Sequence, residues 1–239
     1  LPVGRGPMVL ERCTSTVANA VGARIVGGEF RPGDSMRLDE LEAEFGVSRS
    51  VSREAVKILE SLGLVRSRRL VGVIVQPMGE WNVMAPQVIQ WQLQGPNRLA
   101  ELAELEWISQ LRSAIEPTAA QLAASTATAE QCTQMGAAVA GMTASAVDGD
   151  LHAYLRHDIA FHTTLLSASG NPLFAAQMSV VESVLRCRTE LMPFAPNPDA
   201  IDLHRAVGAA VASRRGGMAE HAMRDLLKEA RQAMEDAAS

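Results

Sequence analysis

The sequence predicts a mainly α protein in two domains with one small β-hairpin, and three observations lead there. Apolar residues recur every three or four positions over most of the chain, and Ala, Leu, Met, Glu and Arg fill those stretches. Aromatic residues make up only 4% of the composition, which also favours helices. At 239 residues the chain is long enough for two cores, and glycine and proline clusters divide it into short segments.

The first helix is predicted over Met8–Gly28, where Val9, Cys13, Val17, Ala20, Val21, Ile25 and Val26 share one face. Gly27, Gly28, Pro32 and Gly33 stop it. A short second helix runs from Leu38 to Phe45 and ends at Gly46. Ser48 is placed to cap a third helix, which continues to Leu62 with Val51, Ala55, Leu59 and Leu62 inward and Gly63 closing it. Leu64-Val65-Arg66 and Val71–Val75 then read as a hairpin with a basic tip at Arg68-Arg69-Leu70. Two helices joined at Gly46 and followed by a hairpin make a winged helix-turn-helix over residues 9–77.

Residues 78–97 hold Trp81, Trp91 and several Pro and Gly, and are expected to be a semi-ordered linker with a short helix near Val83–Gln92. Beyond Pro96 every long segment has helical period. Helices are expected at about 98–125, 128–147, 150–169, 172–192, 199–214 and 217–237, making an all-α domain over 98–237. The chain lacks an apolar run of membrane-spanning length, and its first twenty residues lack the apolar stretch of a signal peptide. A cytoplasmic protein is expected. Cys13, Cys132 and Cys187 are odd in number and far apart, so they read as reduced thiols rather than a disulfide framework.

The net charge of −5 argues at first against a nucleic-acid partner, but the charge is uneven. Residues 1–77 carry 11 basic against 9 acidic side chains, a net of +2; the remaining 11 against 18 give −7. Within that basic third, Arg49, Arg53 and Lys57 are spaced four apart on the third helix, opposite its apolar face. A charged stripe by itself is usually a solvated helix face. Here it lies on the second helix of a helix-turn-helix with a basic hairpin beside it, which points to DNA. Arg49 and Arg53 suit guanine edges in the major groove and Lys57 suits a phosphate; Ser48, Ser50 and Ser52 offer short hydroxyls to either.

The stretch Leu38–Ala55 resembles the helix-turn-helix of the GntR family of bacterial regulators. The resemblance rests on Phe45-Gly46-Val47-Ser48-Arg49, then Arg53-Glu54-Ala55 and Gly63-Leu64-Val65, with Ile25, Gly28, Pro32 and Gly33 upstream. It implies a homodimer on a palindromic double-stranded operator, with the wing tip, here Arg69 and Gly72, near the minor groove. Two features depart from the family: the wing holds a single glycine, and Val51-Ser52 replaces its proline before the second arginine.

Residues 98–235 resemble the helical FCD effector domain of the FadR subfamily. Leu111-Arg112, Ile115-Glu116-Pro117, Leu122-Ala123-Ala124, Asp158-x-x-Phe161-His162, Gly170-Asn171-Pro172, His204-Arg205 and Ala222-Met223-Arg224 carry the likeness. From spacing alone, Asp158 and His162 at i, i+4 could reach one ion or form a surface pair, and His204 could join them. The resemblance implies a divalent metal, zinc or nickel, at the floor of a pocket for a small carboxylate. It also marks Arg112, Asn171 and Arg205 as effector contacts, although Arg112 has Glu116 as an alternative partner one turn away. The family's last histidine falls on Leu226. His221 lies five residues earlier, about 140° around the helix, and does not replace it. Trp81 to Trp91 is similar to members that respond to sugar acids. Two alternatives stand beside a carboxylate-released repressor: a helical domain that only dimerises, and a metal-dependent hydrolase using Asp158, His162 and His204.

Overall fold

A computed structural model describes the backbone of residues 7–95, 98–191 and 197–238. Contacts divide the chain into two units, residues 1–104 and 105–239.

In the first unit the order is α1 (Pro7–Val26), β1 (Ser35–Met36), α2 (Leu38–Phe45), α3 (Arg49–Ser61), β2 (Val65–Arg68), β3 (Gly72–Val75) and α4 (Pro86–Gln94), with a 3-10 turn at Met78–Glu80. The apolar stripes meet as their spacing requires: Val17, Val21 and Ile25 of α1, Leu41 of α2 and Val51, Ala55 and Leu59 of α3 share one core with Leu64, Val73 and Val75. Gly46 takes a left-handed conformation, φ 60°, at the turn between α2 and α3. Ser48 does stand at the N-cap of α3, but its hydroxyl faces Ser50 Oγ at 3.0 Å and makes no cap bond to the helix backbone.

The hairpin is joined by a third strand that the sequence does not announce. Ser35 and Met36 pair antiparallel with Ile74 and Val73, so the sheet order is β1-β3-β2. Gly72 is the residue that admits β1: at φ 117° a Cβ there would come within 2.7 Å of the Met36 carbonyl oxygen. The hairpin turn is Arg69-Leu70-Val71, with Leu70 at φ 67°, a left-handed conformation that costs a branched L side chain roughly 1–2 kcal/mol.

The stretch expected to bridge the domains contributes to this core. Ala85, Val88 and Trp91 are buried in it, and the Trp91 ring lies over Gly22, where a Cβ would meet the ring at 2.4 Å. Trp81 Nε1 donates to the Gln76 carbonyl at 2.9 Å.

Helix α5 (Arg98–Thr126) runs into the second unit, followed by α6 (Ala129–Asp148), α7 (Leu151–Ala168), α8 (Pro172–Ala175), α9 (Met178–Leu191), α10 (Pro198–Ala212) and α11 (Gly216–Ala238). The single helix expected over 172–192 is two, because the Gln177 N–H bonds to the carbonyl of Phe174, three residues back, and the helix restarts at Met178. Helix α6 packs on α7 and α10, and α10 on α11. Phe161, Leu165, Met135, Met142, Val207, Val211 and Met223 fill the space between them, with Ala120 and Ala123 from α5. No helix among the described residues is long and apolar enough to cross a membrane.

Candidate functional site

Helix α3 presents Arg49, Ser50, Arg53 and Lys57 outward. Lys57 Nζ pairs with Glu54 at 2.7 Å on the exposed face. Among the described residues, Arg49 and Arg53 have no ion-pair partner, so both guanidinium groups are available to an external anion. Ser52 is a correction. It is fully buried, and its hydroxyl turns back toward the Ser48 carbonyl at 3.5 Å, because residues 52, 55, 56 and 59 form the inward face. Ser48 and Ser50 remain exposed. At the wing Arg69 is exposed beside Arg66 and Arg68, whereas Gly72 is spent on the approach of β1 and has only part of its surface in solvent.

In the second unit α7 and α10 bring Asp158, His162 and His204 together. All three are buried, with His162 only 2% exposed. Asp158 Oδ1 lies 3.1 Å from His204 Nε2 and 3.4 Å from His162 Nε2, and the two Nε2 atoms are 3.3 Å apart. These separations are the edges of a tetrahedron whose centre is roughly 2.0 Å from each corner, the bond length of zinc to nitrogen or carboxylate oxygen.

The rings are held by their other nitrogens. His204 Nδ1 lies 2.7 Å from the Ala200 carbonyl and His162 Nδ1 lies 2.6 Å from Glu116 Oε2. Carbonyl and carboxylate oxygens only accept, so both Nδ1 atoms carry a proton, and the two Nε2 atoms converge with Asp158, where a cation would take the place of the Nε2 protons that Asp158 otherwise accepts. The donor set therefore fits a divalent cation. The position expected to hold a fourth ligand is Leu226, which lines the same cavity, and His221 faces away, 79% exposed beside Asp225.

Glu116 is the residue the sequence reading undervalued. Its other oxygen accepts from Arg112 Nε at 2.6 Å, and both side chains are buried rather than on the surface. Arg112 Nη2 lies 3.3 Å from His162 Nε2. Burial opposes the Glu116 charge, but the Arg112 and His162 charges outweigh it and hold the carboxyl at about 2. Burial likewise opposes ionised Asp158, and hydrogen bonds from His162 and His204 hold it well below the usual carboxylate range. Burial also works against a charged His162, yet Glu116 overcomes both burial and Arg112, so its pKa is raised.

The cavity at this cluster, about 100 Å³, is lined also by Tyr154, Asn197 and Glu229, and Asn197 Nδ2 donates to Glu229 Oε1 at 2.7 Å. The structure does not bring the other two expected effector contacts here. Asn171 caps α8, its Oδ1 accepting from the Leu173 N–H at 2.9 Å. Arg205 is exposed, pairs with Asp202, and borders a separate groove between α6 and α10.

An outward arginine pair on a helix-turn-helix, in a chain whose helical domain holds a buried cluster of candidate metal ligands, is the arrangement of a DNA-binding regulator with a sensor domain. Comparison with known proteins makes this specific. Residues 13–75 match the family described as bacterial regulatory proteins, gntR family, and residues 107–229, more than half of the chain, match the FCD domain. The chain is 32% identical over 212 residues to the HTH-type transcriptional regulator LutR of Bacillus subtilis, covering 83% of this chain and 90% of that one. It is 29% identical over 216 residues to the galactonate operon transcriptional repressor of Escherichia coli, covering 87% and 91%. Its fold is similar to E. coli McbR/YncC, with TM-score 0.55, 15% identity and coverage of 95% and 99%. It is also similar to Streptococcus agalactiae GntR, with TM-score 0.52, 22% identity and coverage of 92% and 99%. The chain belongs to the GntR family of bacterial regulators, with an FCD domain at its C-terminal side, and is a DNA-binding transcription regulator.

Proposed function

We propose that this regulator is a cytoplasmic homodimeric repressor of a palindromic operator, released when a small carboxylate enters the cavity at Asp158, His162 and His204. The observation that carries this reading is the Nε2–Nε2–Oδ1 triangle with Arg112 Nη2 beside it. Asp158, His162 and His204 would hold a divalent ion, zinc or nickel, which would supply Lewis-acid chemistry to a carboxylate, and Arg112 would add a charge-assisted hydrogen bond to it. The Asn197–Glu229 pair offers a donor and an acceptor to hydroxyl groups, which suits a hydroxylated acid. Similarity to the galactonate operon transcriptional repressor of Escherichia coli supports a sugar-acid class. Two heads must meet two half-sites at once, so a modest change in their placement is enough to lose the operator.

The test is selection of duplexes from a randomised pool by the full chain, followed by release with a panel of organic acids in zinc-loaded protein. The reading predicts inverted half-sites spaced by about one helical turn. It also predicts release by hydroxylated carboxylates, but not by the matching neutral sugars. Release by neither class would leave the helical domain a dimerisation module.

A further inference from the structure

We propose that Leu70, at the tip of the β2–β3 hairpin, inserts into the minor groove of duplex DNA and opens one base step, making that step a specificity-determining position. The proposal rests on the DNA-binding reading and goes beyond it, to a residue outside the α3 stripe.

Leu70 is 99% exposed, and its backbone is left-handed at φ 67°. A turn that needs this conformation is served without strain by Gly or Asn, and a surface position is served by a polar side chain. Leucine meets neither demand. A side chain held against both backbone preference and solvation marks a contact made only when the tip is engaged. Val71 beside it is 54% exposed, so the tip carries two adjacent apolar side chains.

The surroundings identify the partner. Arg66, Arg68 and Arg69 are exposed on the same hairpin, and the stretch from Val65 to Val75 contains no acidic residue. An apolar tip with three arginines on the strand and turn that lead to it matches a minor groove: anionic walls take the guanidinium groups, and an unstacked base step takes the wedge. The hairpin is also fixed to the helix that carries Arg49 and Arg53. Glu60 Oε1, near the end of α3, accepts from the Ser67 N–H at 2.6 Å, and the Leu64 N–H bonds to the Leu59 carbonyl at 3.0 Å. Strands of four residues carry the hairpin roughly 13 Å beyond Leu64, with the Ser67 bond bracing it one residue before the turn. The tip and the stripe therefore engage one duplex together, and the opened step should be a flexible pyrimidine–purine step flanking the bases read by α3.

The experiment uses the full chain and duplexes it enriches from a randomised pool, with 2-aminopurine placed at each position in turn. Wild-type protein should raise fluorescence at one flanking step in each half-site. Leu70→Ala and Leu70→Gly should bind roughly tenfold more weakly, give no rise and lose the preference for a flexible step. Leu70→Gly also relieves the backbone, so its loss of binding cannot be assigned to misfolding. Equal affinity and an identical fluorescence profile in all three proteins would overturn the wedge. A change in oligomeric state with DNA binding unaltered would overturn it too, and would assign the tip to a protein contact. If Arg53→Ala weakens binding while both Leu70 variants bind as wild type, only the wedge fails; if wild type enriches no duplex, the DNA-binding reading itself fails.

Discussion

His162 Nδ1 lies 2.6 Å from Glu116 Oε2, while Arg112 Nε lies 2.6 Å from the other oxygen of the same carboxylate. One buried acid thus sets the orientation of a candidate metal ligand and neutralises the arginine beside it. Glu116→Gln keeps an acceptor for Nδ1 but removes the charge, and zinc affinity should fall about 10–100-fold in a chelator competition. Glu116→Ala leaves the Arg112 charge buried without its partner and should cost about 3–5 kcal/mol in urea unfolding. Unchanged zinc affinity in Glu116→Gln would show that the charge of Glu116 adds nothing to His162 as a ligand.

Leu226 lines the cavity at the position where the fourth ligand is expected. Leu226→His should tighten zinc binding by roughly tenfold or more, since a fourth protein ligand closes the shell. The metal-free variant should be about 1–3 kcal/mol less stable, because an imidazole replaces a packed leucine. Paired melts with and without zinc separate the two effects, and an affinity equal to wild type would place residue 226 out of reach of the cluster.

Glu104 is buried, and desolvation alone pushes its carboxyl up to about 7 from the ordinary 4.5. Between those values the folded chain holds a proton that the unfolded chain has released. Stability should therefore fall as pH rises from about 4.5 to about 7 and then level, by up to roughly 3 kcal/mol. Glu104→Gln should remove that slope, making the variant more stable than wild type at pH 8 and no more stable at pH 4. Parallel slopes in urea titrations of both proteins would contradict it.

Gly72 and Gly28 both have positive φ, at 117° and 82°, but only Gly72 has a backbone oxygen within reach of an added Cβ. Gly72→Ala should destabilise the chain by about 1–3 kcal/mol, more than Gly28→Ala, which bears backbone strain alone. Urea midpoints measure both, and the reverse order would mean that β1 yields without cost.

Periodic features were legible in the sequence, and features made by tertiary contact were not. The α3 stripe follows from four-residue spacing, and Asp158 and His162 from the same rule on α7. Ser52 was misread although its signal was present: counting from Ala55, Val56 and Leu59 puts it inward, and a small hydroxyl satisfied by the Ser48 carbonyl is tolerated there. Strand β1 has only two residues and no pattern of its own, existing because Val73 and Ile74 offer it partners. Arg112 and Glu116 read equally well as a surface pair, because spacing on one helix carries no information about what packs over it. Asn171, which the resemblance marked as an effector contact, instead caps the helix that starts at Pro172, a role its place directly before a proline is suited to.

The central claim is that α3 reads DNA through Arg49 and Arg53, and fluorescence anisotropy on an enriched duplex across a salt series tests it most directly. Arg49→Ala and Arg53→Ala should each weaken binding by about 1–3 kcal/mol and relax sequence preference. Lys57→Ala should weaken enriched and random duplexes alike and lower the salt slope by about one. Wild-type affinity and specificity in both arginine variants would contradict the account.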